Sequence, residues 1–302
     1  MSIVVKGLTR QYGEQIVVNN ISFTIEKGIV GFLGPNGAGK STTMKMLTTY
    51  VPPTSGTATI CGYDIVTSPT EVRNHVGYLP ENNPLYYDMY VREYLLFAAK
   101  VHRLAYPQKK VEEVIEMTGL GKEAHKKLGQ ISKGYKQRAG LAQAMIHNPA
   151  VLILDEPTSG LDPNQLSDIR TLIAELGKEK TVLLSTHIMQ EVEAMCEHVI
   201  IINDGKIIKN ESINTISETA TNSQTLIVTL DKNITEITFS EFNNLVQVRK
   251  INDRSWALQS VKSDLLKKEL MHWAIDNDIT IESLHTESKS LEEIFRSLTS
   301  NK

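Results

Sequence analysis

Only two cysteines, Cys61 and Cys196, occur in 302 residues. They stand far apart with no C-x-x-C pair, which supports neither a disulfide framework nor a zinc site. They read as small reduced side chains of a reducing compartment. No stretch reaches the roughly 20 apolar residues a membrane helix needs. Met1–Lys6 lacks the pattern of a signal peptide, and the chain is expected not to be an integral membrane protein. An excess of one charge is also lacking. The formal net charge is −3, without the basic surplus of a general nucleic-acid binder. Internal repeats and low-complexity tracts are absent from the sequence. His75, His102, His125, His147, His198, His272 and His285 show no paired metal spacing.

What is there is an ordinary globular composition, 41% hydrophobic, able to bury a core. At roughly 100–200 residues per domain the length predicts about two domains. Short alternating pieces, Ser2–Leu8 and Ile16–Ile25, predict antiparallel strands. Further strands are expected at Ile29–Leu33, Thr57–Cys61 and Val76–Pro80, with a helix over Ser41–Thr49. From about residue 88 to 148 the periodicity is helical, in Tyr90–Leu104, Lys109–Thr118 and Lys136–His147. Val151–Leu154 is a continuous apolar run, the pattern of a parallel strand buried on both faces. A helix near Pro163–Lys178, a strand over Thr181–Ser185, a helix over Met189–Cys196 and a strand over His198–Asn203 follow. Asp204-Gly205 turns the chain into Lys206–Lys209. Strands alternating with helices predict an α/β core with a mostly parallel sheet.

Glu211–Ser223 is rich in Ser, Thr, Asn and Glu, and its end reads as a domain boundary. The expected domains are 1–217 and 222–302. In the second, strands at Gln224–Leu230, Leu245–Ile251, Ser255–Leu258 and Ile279–Leu284 alternate with helices at Ile234–Phe242, Lys262–Asp276 and Ser290–Leu298. The order βαββαβ plus a helix predicts a small α+β, ferredoxin-like domain. Trp256 and Trp273 read as its core aromatics.

The chemistry is announced by Gly34-Pro35-Asn36-Gly37-Ala38-Gly39-Lys40-Ser41, which fits the phosphate-binding P-loop between a buried strand and a helix. Glycines let backbone N–H groups close around phosphate oxygens, and the helix N-terminus adds partial positive charge. Lys40 would reach the β- and γ-phosphates of a nucleoside triphosphate, and the Ser41 hydroxyl would ligate Mg²⁺. The second element is Asp155-Glu156, delivered at the end of the Val151–Leu154 strand, where open α/β sheets bind ligands. Asp155 is suited to hold Mg²⁺ through water, and Glu156 to orient and polarise the attacking water.

With these two elements in order, the chain resembles the ATP-binding subunits of ABC transporters over roughly residues 3–210. Ile131-Ser132-Lys133-Gly134-Tyr135-Lys136-Gln137-Arg138 is similar to the family's signature loop, with Lys133 and Tyr135 replacing its usual glycine and glutamine. Ser159-Gly160-Leu161-Asp162 resembles the D-loop, and His187 the switch histidine that senses the γ-phosphate. Tyr12 sits where the family stacks an aromatic ring on adenine. Glu81 stands at the Q-loop position, where glutamine is usual. It can still accept from a Mg²⁺-bound water but has no amide donor. The resemblance implies an α/β P-loop ATPase with an antiparallel β subdomain, a mostly parallel core sheet and a helical insert. It implies ATP and Mg²⁺ as ligands and Gly34 to Thr42 as nucleotide-binding residues. Glu156, His187 and Lys40 would be catalytic, and Ser41, Asp155 and Glu81 would face the metal. Ser132 and Gly134 would reach the ATP of a partner subunit in a head-to-tail dimer, either a second copy or a paralogue. Ser132 equally reads as a helix N-cap.

A membrane-embedded permease is the further implied partner, placing the chain at the inner face of the cell membrane. Asn82–Arg103 carries Tyr86, Tyr87, Tyr90, Tyr94 and Phe97, near the groove where the family docks its membrane subunit. Tyr94 and Phe97 read as core at helical spacing, Tyr86 and Tyr87 as interface candidates. The run Gly77–Tyr86, the loop Ser132–Gln137 and Ser290–Phe295 also resemble the gliding-associated members of the family, within a wider exporter-like group. That implies an exporter-type partner and a role in surface motility. A soluble ATPase of translation or DNA maintenance is the alternative. Such members carry two cassettes in one chain or long coiled coils, and this sequence has one P-loop and no sustained heptads. A non-hydrolysing scaffold is opposed by Lys40, Asp155, Glu156 and His187. For the C-terminal domain a dimerisation surface is preferred over a sensor or a membrane-partner contact.

Overall fold

In the computed structural model, which describes residues 2–216, 224–234, 242–260, 262–287 and 291–299, the first alternating segments pair as a hairpin. β1 (Ile3–Tyr12) runs antiparallel to β2 (Gln15–Ile25). After β3 (Gly28–Leu33) and α1 (Lys40–Leu47) come β4 (Ser55–Ile60) and β5 (Tyr63–Asp64). β1, β2, β4 and β5 form a four-stranded antiparallel sheet in the order β2-β1-β4-β5. The chain continues through α2 (Pro69–His75), β6 (Val76–Leu79), α3 (Val91–Val101), α4 (Pro107–Met117) and α5 (Lys133–Met145). It then returns through β7 (Val151–Asp155), α6 (Pro163–Glu179), β8 (Thr181–Thr186), α7 (Met189–Met195), β9 (His198–Asn203) and β10 (Lys206–Ser212).

The central sheet has the order β10-β9-β3-β8-β7-β6. Its pairs are parallel except β10 on β9. β3, β7 and β8 are buried along their whole length, as continuous apolar runs predict for strands covered on both faces. One face carries Phe32, Ile153, Leu183 and Ile200 against Ile3, Leu8 and Phe23 of the antiparallel sheet and Met44 and Leu47 of α1. On the other face, Gly31 of β3 leaves room for Val192 and Cys196 at α7, and Gly177 of α6 leaves room for Ile29. Both cysteines are free, and burial pushes the Cys196 thiol up to about 12. α2 escapes the sequence reading for a physical reason. It has seven residues behind a proline start, and only Val72 is buried, too little to show a period.

α3, α4 and α5 share a core of their own, including Val91, Leu95, Val111, Ile115, Ala139 and Ala142. Tyr94 belongs to it at 7% exposure, whereas Phe97 is 45% exposed, so the core reading of Phe97 is corrected. α3 buries positions 91, 94, 95, 98 and 99, and Phe97 falls two positions past Leu95, about 200° around a helix of 3.6 residues per turn. It makes an edge contact with Tyr86, ring centres 5.9 Å apart. Tyr86 and Tyr87 are both exposed.

At the ends of α3 and α5, His102 and His147 stack face to face, 4.0 Å apart and 3° from parallel. His147 Nε2 lies 3.1 Å from the Val76 carbonyl oxygen. Burial, then the neighbouring His102, pushes the His147 pKa down to about 4, with Lys180 adding to the fall and the Val76 contact opposing it. A histidine whose folded pKa is depressed costs stability as pH falls, because the unfolded chain binds the proton first. The loss begins near pH 6.5 and is complete below about 4. In an NMR titration the His147 ring is therefore expected to stay neutral to about pH 4. A midpoint near 6.5 would contradict the packing.

The chain divides into two compact units, Met1–Ser212 and Ile213–Lys302. The boundary expected over 217–222 lies outside the described residues. The second unit contains β11 (Gln224–Leu230), β12 (Leu245–Lys250), β13 (Ser255–Ser260), α8 (Ser263–Asp276), β14 (Ile281–Glu287) and α9 (Leu291–Thr299). Its sheet is antiparallel in the order β12-β13-β11-β14, the fourth-first-third-second order of a ferredoxin-like fold. Trp256, Leu258, Leu226 and Val228 meet Leu266 and Leu270 of α8 in its core, and Trp273 packs against them. The expected helix over Ile234–Phe242 falls largely on 235–241, outside the described residues.

Candidate functional site

β3, β7 and β8 run side by side, with Leu33 opposite Thr186 and Asp155 opposite Ser185. Their C-terminal ends therefore bring the loop at Gly34, Glu156 and His187 to one edge of the sheet. The loop is closed by Gly34 N donating to Thr186 O at 3.3 Å and Gly205 N donating to Ala38 O at 3.1 Å. Two of its glycines are required by space. A Cβ on Gly34 would press into the Ile202 carbonyl, and one on Gly39, at φ 103°, would lie 2.7 Å from Val17 O.

Lys40 is 6% exposed. Its ammonium donates to Gly34 O at 2.8 Å and Pro35 O at 3.2 Å, and lies 3.5 Å from Glu156 Oε1. Glu156 is buried and takes a left-handed backbone, φ 50°, which costs a non-glycine residue on the order of 1–3 kcal/mol. Its N–H donates to Ser185 O at 3.1 Å. The carboxylate lies 2.9 Å (Oε2) and 3.0 Å (Oε1) from His187 Nδ1. Asn36, Gly37, Gly39, Lys40, Ser41, Thr42, Glu81, Glu156 and His187 line one cleft of about 410 Å³. Val17 and Ser159 line it too. Val17 was missed because an apolar strand residue carries no chemical signal. Gly34, Pro35 and Ala38 belong to the loop and do not border the cleft.

Ser41, Glu81 and Asp155 border a second cavity, of about 580 Å³. Asp155 is buried and accepts from Ser185 Oγ at 2.6 Å. A hydroxyl and two carboxylates are hard oxygen donors, and such a set fits Mg²⁺. The Tyr78 hydroxyl, on the same cavity wall, is buried without a hydrogen-bond partner among the described residues. Burial first, then Asp155, pushes its pKa up.

Other expected residues are not gathered here. Tyr12 is 44% exposed at the end of β1, with the Arg10 guanidinium 4.4 Å over its ring, and does not border the cleft. Ser132 caps α5, its Oγ accepting from Tyr135 N at 3.4 Å. Gly134 packs against Gln165 at the start of α6. Neither Ser132 nor Gly134 borders the cleft of its own chain.

A family model described as ABC transporter matches residues 18–159. The bacitracin transport ATP-binding protein of Bacillus licheniformis is 41% identical over 69% of this chain and 70% of its own length. The chain belongs to the ABC transporter ATP-binding proteins. The Nod factor export ATP-binding protein I of Burkholderia orbicola is 37% identical over 67% of each chain. A solved dimeric ATP-binding cassette, in a post-hydrolysis state with ADP and Pi, is 25% identical with a TM-score of 0.65, covering 70% of this chain and 98% of that one. As an ABC transporter ATP-binding protein the chain binds ATP and is an ATPase. Among the described residues no helix is long and apolar enough to cross a membrane.

Proposed function

We propose that this chain hydrolyses ATP in the described cleft as the energy-supplying subunit of an exporter. The observation that carries the reading is the buried Glu156 carboxylate set between Lys40 Nζ and His187 Nδ1 at the end of the central sheet. In this reading Glu156 accepts a proton from the attacking water and His187 holds both that carboxylate and the γ-phosphate. Phosphate oxygens compete with Gly34 O and Pro35 O for the Lys40 ammonium, which then offsets the charge of the transferred group. Ser41 and Asp155 would hold Mg²⁺, with Glu81 accepting from a metal-bound water. When bound, the ion neutralises phosphate charge. Tyr12 serves adenine in this reading once the Arg10 side chain yields one ring face.

Ser132 and Gly134 lie outside the cleft of their own chain, which supports the reading that they meet ATP held by a second copy or a paralogue. The exposed Tyr86 and Tyr87 are the proposed contacts for a membrane-embedded permease, which would hold the chain at the inner membrane face. Export follows the relatives named for bacitracin transport and Nod factor export. Those names favour export over gliding motility, and no observation favours a role in translation or DNA maintenance.

The test is size-exclusion chromatography with light scattering on Glu156→Gln, with and without ATP. An ATP-stabilised dimer is the expected result. A variant that binds ATP and stays monomeric at every concentration would remove the shared-site reading.

A further inference from the structure

Glu191, on α7, is the least explained charge in the first unit. It is 0% exposed, and burying a carboxylate is costly unless its oxygens are satisfied. Both are. Oε1 accepts from Thr158 Oγ1, and Oε2 accepts from Thr186 Oγ1 at 2.6 Å. The Arg170 guanidinium, on α6, lies 4.0 Å away. Thr158 and Thr186 are themselves buried. The Thr186 hydroxyl in turn accepts from Ile188 N at 3.1 Å, bridging over His187. Thr158 stands two residues after Glu156 and one before Ser159, whose N–H donates to Glu156 O at 3.1 Å.

One buried carboxylate thus joins the loop that carries Glu156 to the strand end that carries His187, through Thr158 and Thr186. We infer that Glu191 is a positioning residue, which sets the separation of Glu156 and His187 through the hydroxyls of Thr158 and Thr186. The inference rests on the proposed roles of those two residues in hydrolysis. Its chemistry is that of a two-acceptor clamp. A carboxylate accepts at both oxygens, and an amide of the same shape accepts at only one. On the other side the amide can only donate, so the threonine there must turn its hydroxyl to accept. The Arg170 guanidinium also loses the charge it faces. The loop on that side shifts, and misplacement by about 1 Å costs on the order of 10²-fold in rate.

The experiment measures phosphate release by Glu191→Gln, His187→Ala and the double variant, with Glu156→Gln and wild type as controls. Glu191→Gln is expected to lower kcat about 10- to 100-fold with KM for ATP held within about twofold. In the His187→Ala background the same change should cost much less, because the geometry it spoils is already lost. Unchanged kcat in Glu191→Gln, or losses that multiply fully in the double variant, would reduce Glu191 to a packing role. If Glu156→Gln turns over like wild type, the hydrolysis reading itself falls, and the clamp falls with it. If Glu191→Gln does not fold, Thr158 decides. Thr158→Val should lose rate, and Thr158→Ser, which keeps the hydroxyl, should restore it. Equal rates in that pair would overturn the clamp.

Discussion

Glu156→Gln is expected to cut ATP turnover by about 10²- to 10⁴-fold, the usual worth of a placed general base, and to leave ATP binding nearly unchanged. The amide is the same size, so the buried slot between Lys40 and His187 stays filled. What it lacks is the ability to take a proton. The carboxylate also faces two donors, Lys40 Nζ at 3.5 Å and His187 Nδ1 at 2.9 Å. An amide presents one oxygen to them, and its nitrogen meets the other as donor against donor. Rate loss with retained affinity is therefore the expected pattern. Phosphate release under saturating ATP checks it. A variant that keeps a tenth of the rate or more would move the base to another group.

Lys40→Met should act on the other quantity, weakening ATP binding by about 10²- to 10³-fold. Truncating one partner of a buried charge pair formed on binding costs from about 2 kcal/mol upward, and each tenfold in affinity is about 1.4 kcal/mol. The ammonium is 6% exposed, so solvent screens it little, and methionine preserves the length of the stem. Glu156 would lose its Lys40 contact and keep His187, and turnover should fall as well. Calorimetric titration with ATP separates the two effects. Affinity within about threefold of wild type, well under 1.4 kcal/mol, would mean that backbone N–H groups alone hold the phosphates.

The strands β3, β7 and β8 were legible because burial on both faces imposes apolar runs with no other cause. The loop at Gly34–Ser41 was legible because Gly34 and Gly39 answer to backbone oxygens of Ile202 and Val17, a demand that leaves glycine in the sequence. Asp155 and Glu156 stood out as charge at the end of an apolar run. Glu191 did not. It lies on an amphipathic helix where acids are common, and its partners come from Thr158 and Thr186, on two other segments. Phe97 was misplaced because an aromatic ring near a helical stripe resembles a member of it. The exposed edge of α3 has no marker at the level of one residue. The bulk of the second unit followed from the alternation of its strands and the helical spacing of α8 and α9. Short α2 and the two-residue β5 carry too few buried positions to be seen.

The strands under the site have a consequence for local opening. Residues such as Phe32, Ile153 and Leu183 are fully covered, and their strands are paired to neighbours on both sides. Hydrogen exchange at such positions requires the whole unit to come apart, whereas surface loops exchange through small local openings. Glu156 and His187 follow immediately on β7 and β8, so they are mounted at the ends of segments expected to exchange slowly. The Glu156 carboxylate and the His187 imidazole are thus expected to share a floor that opens only when the unit does. Exchange rates should therefore step sharply upward from Leu154 to Gly160, within a few residues of Glu156.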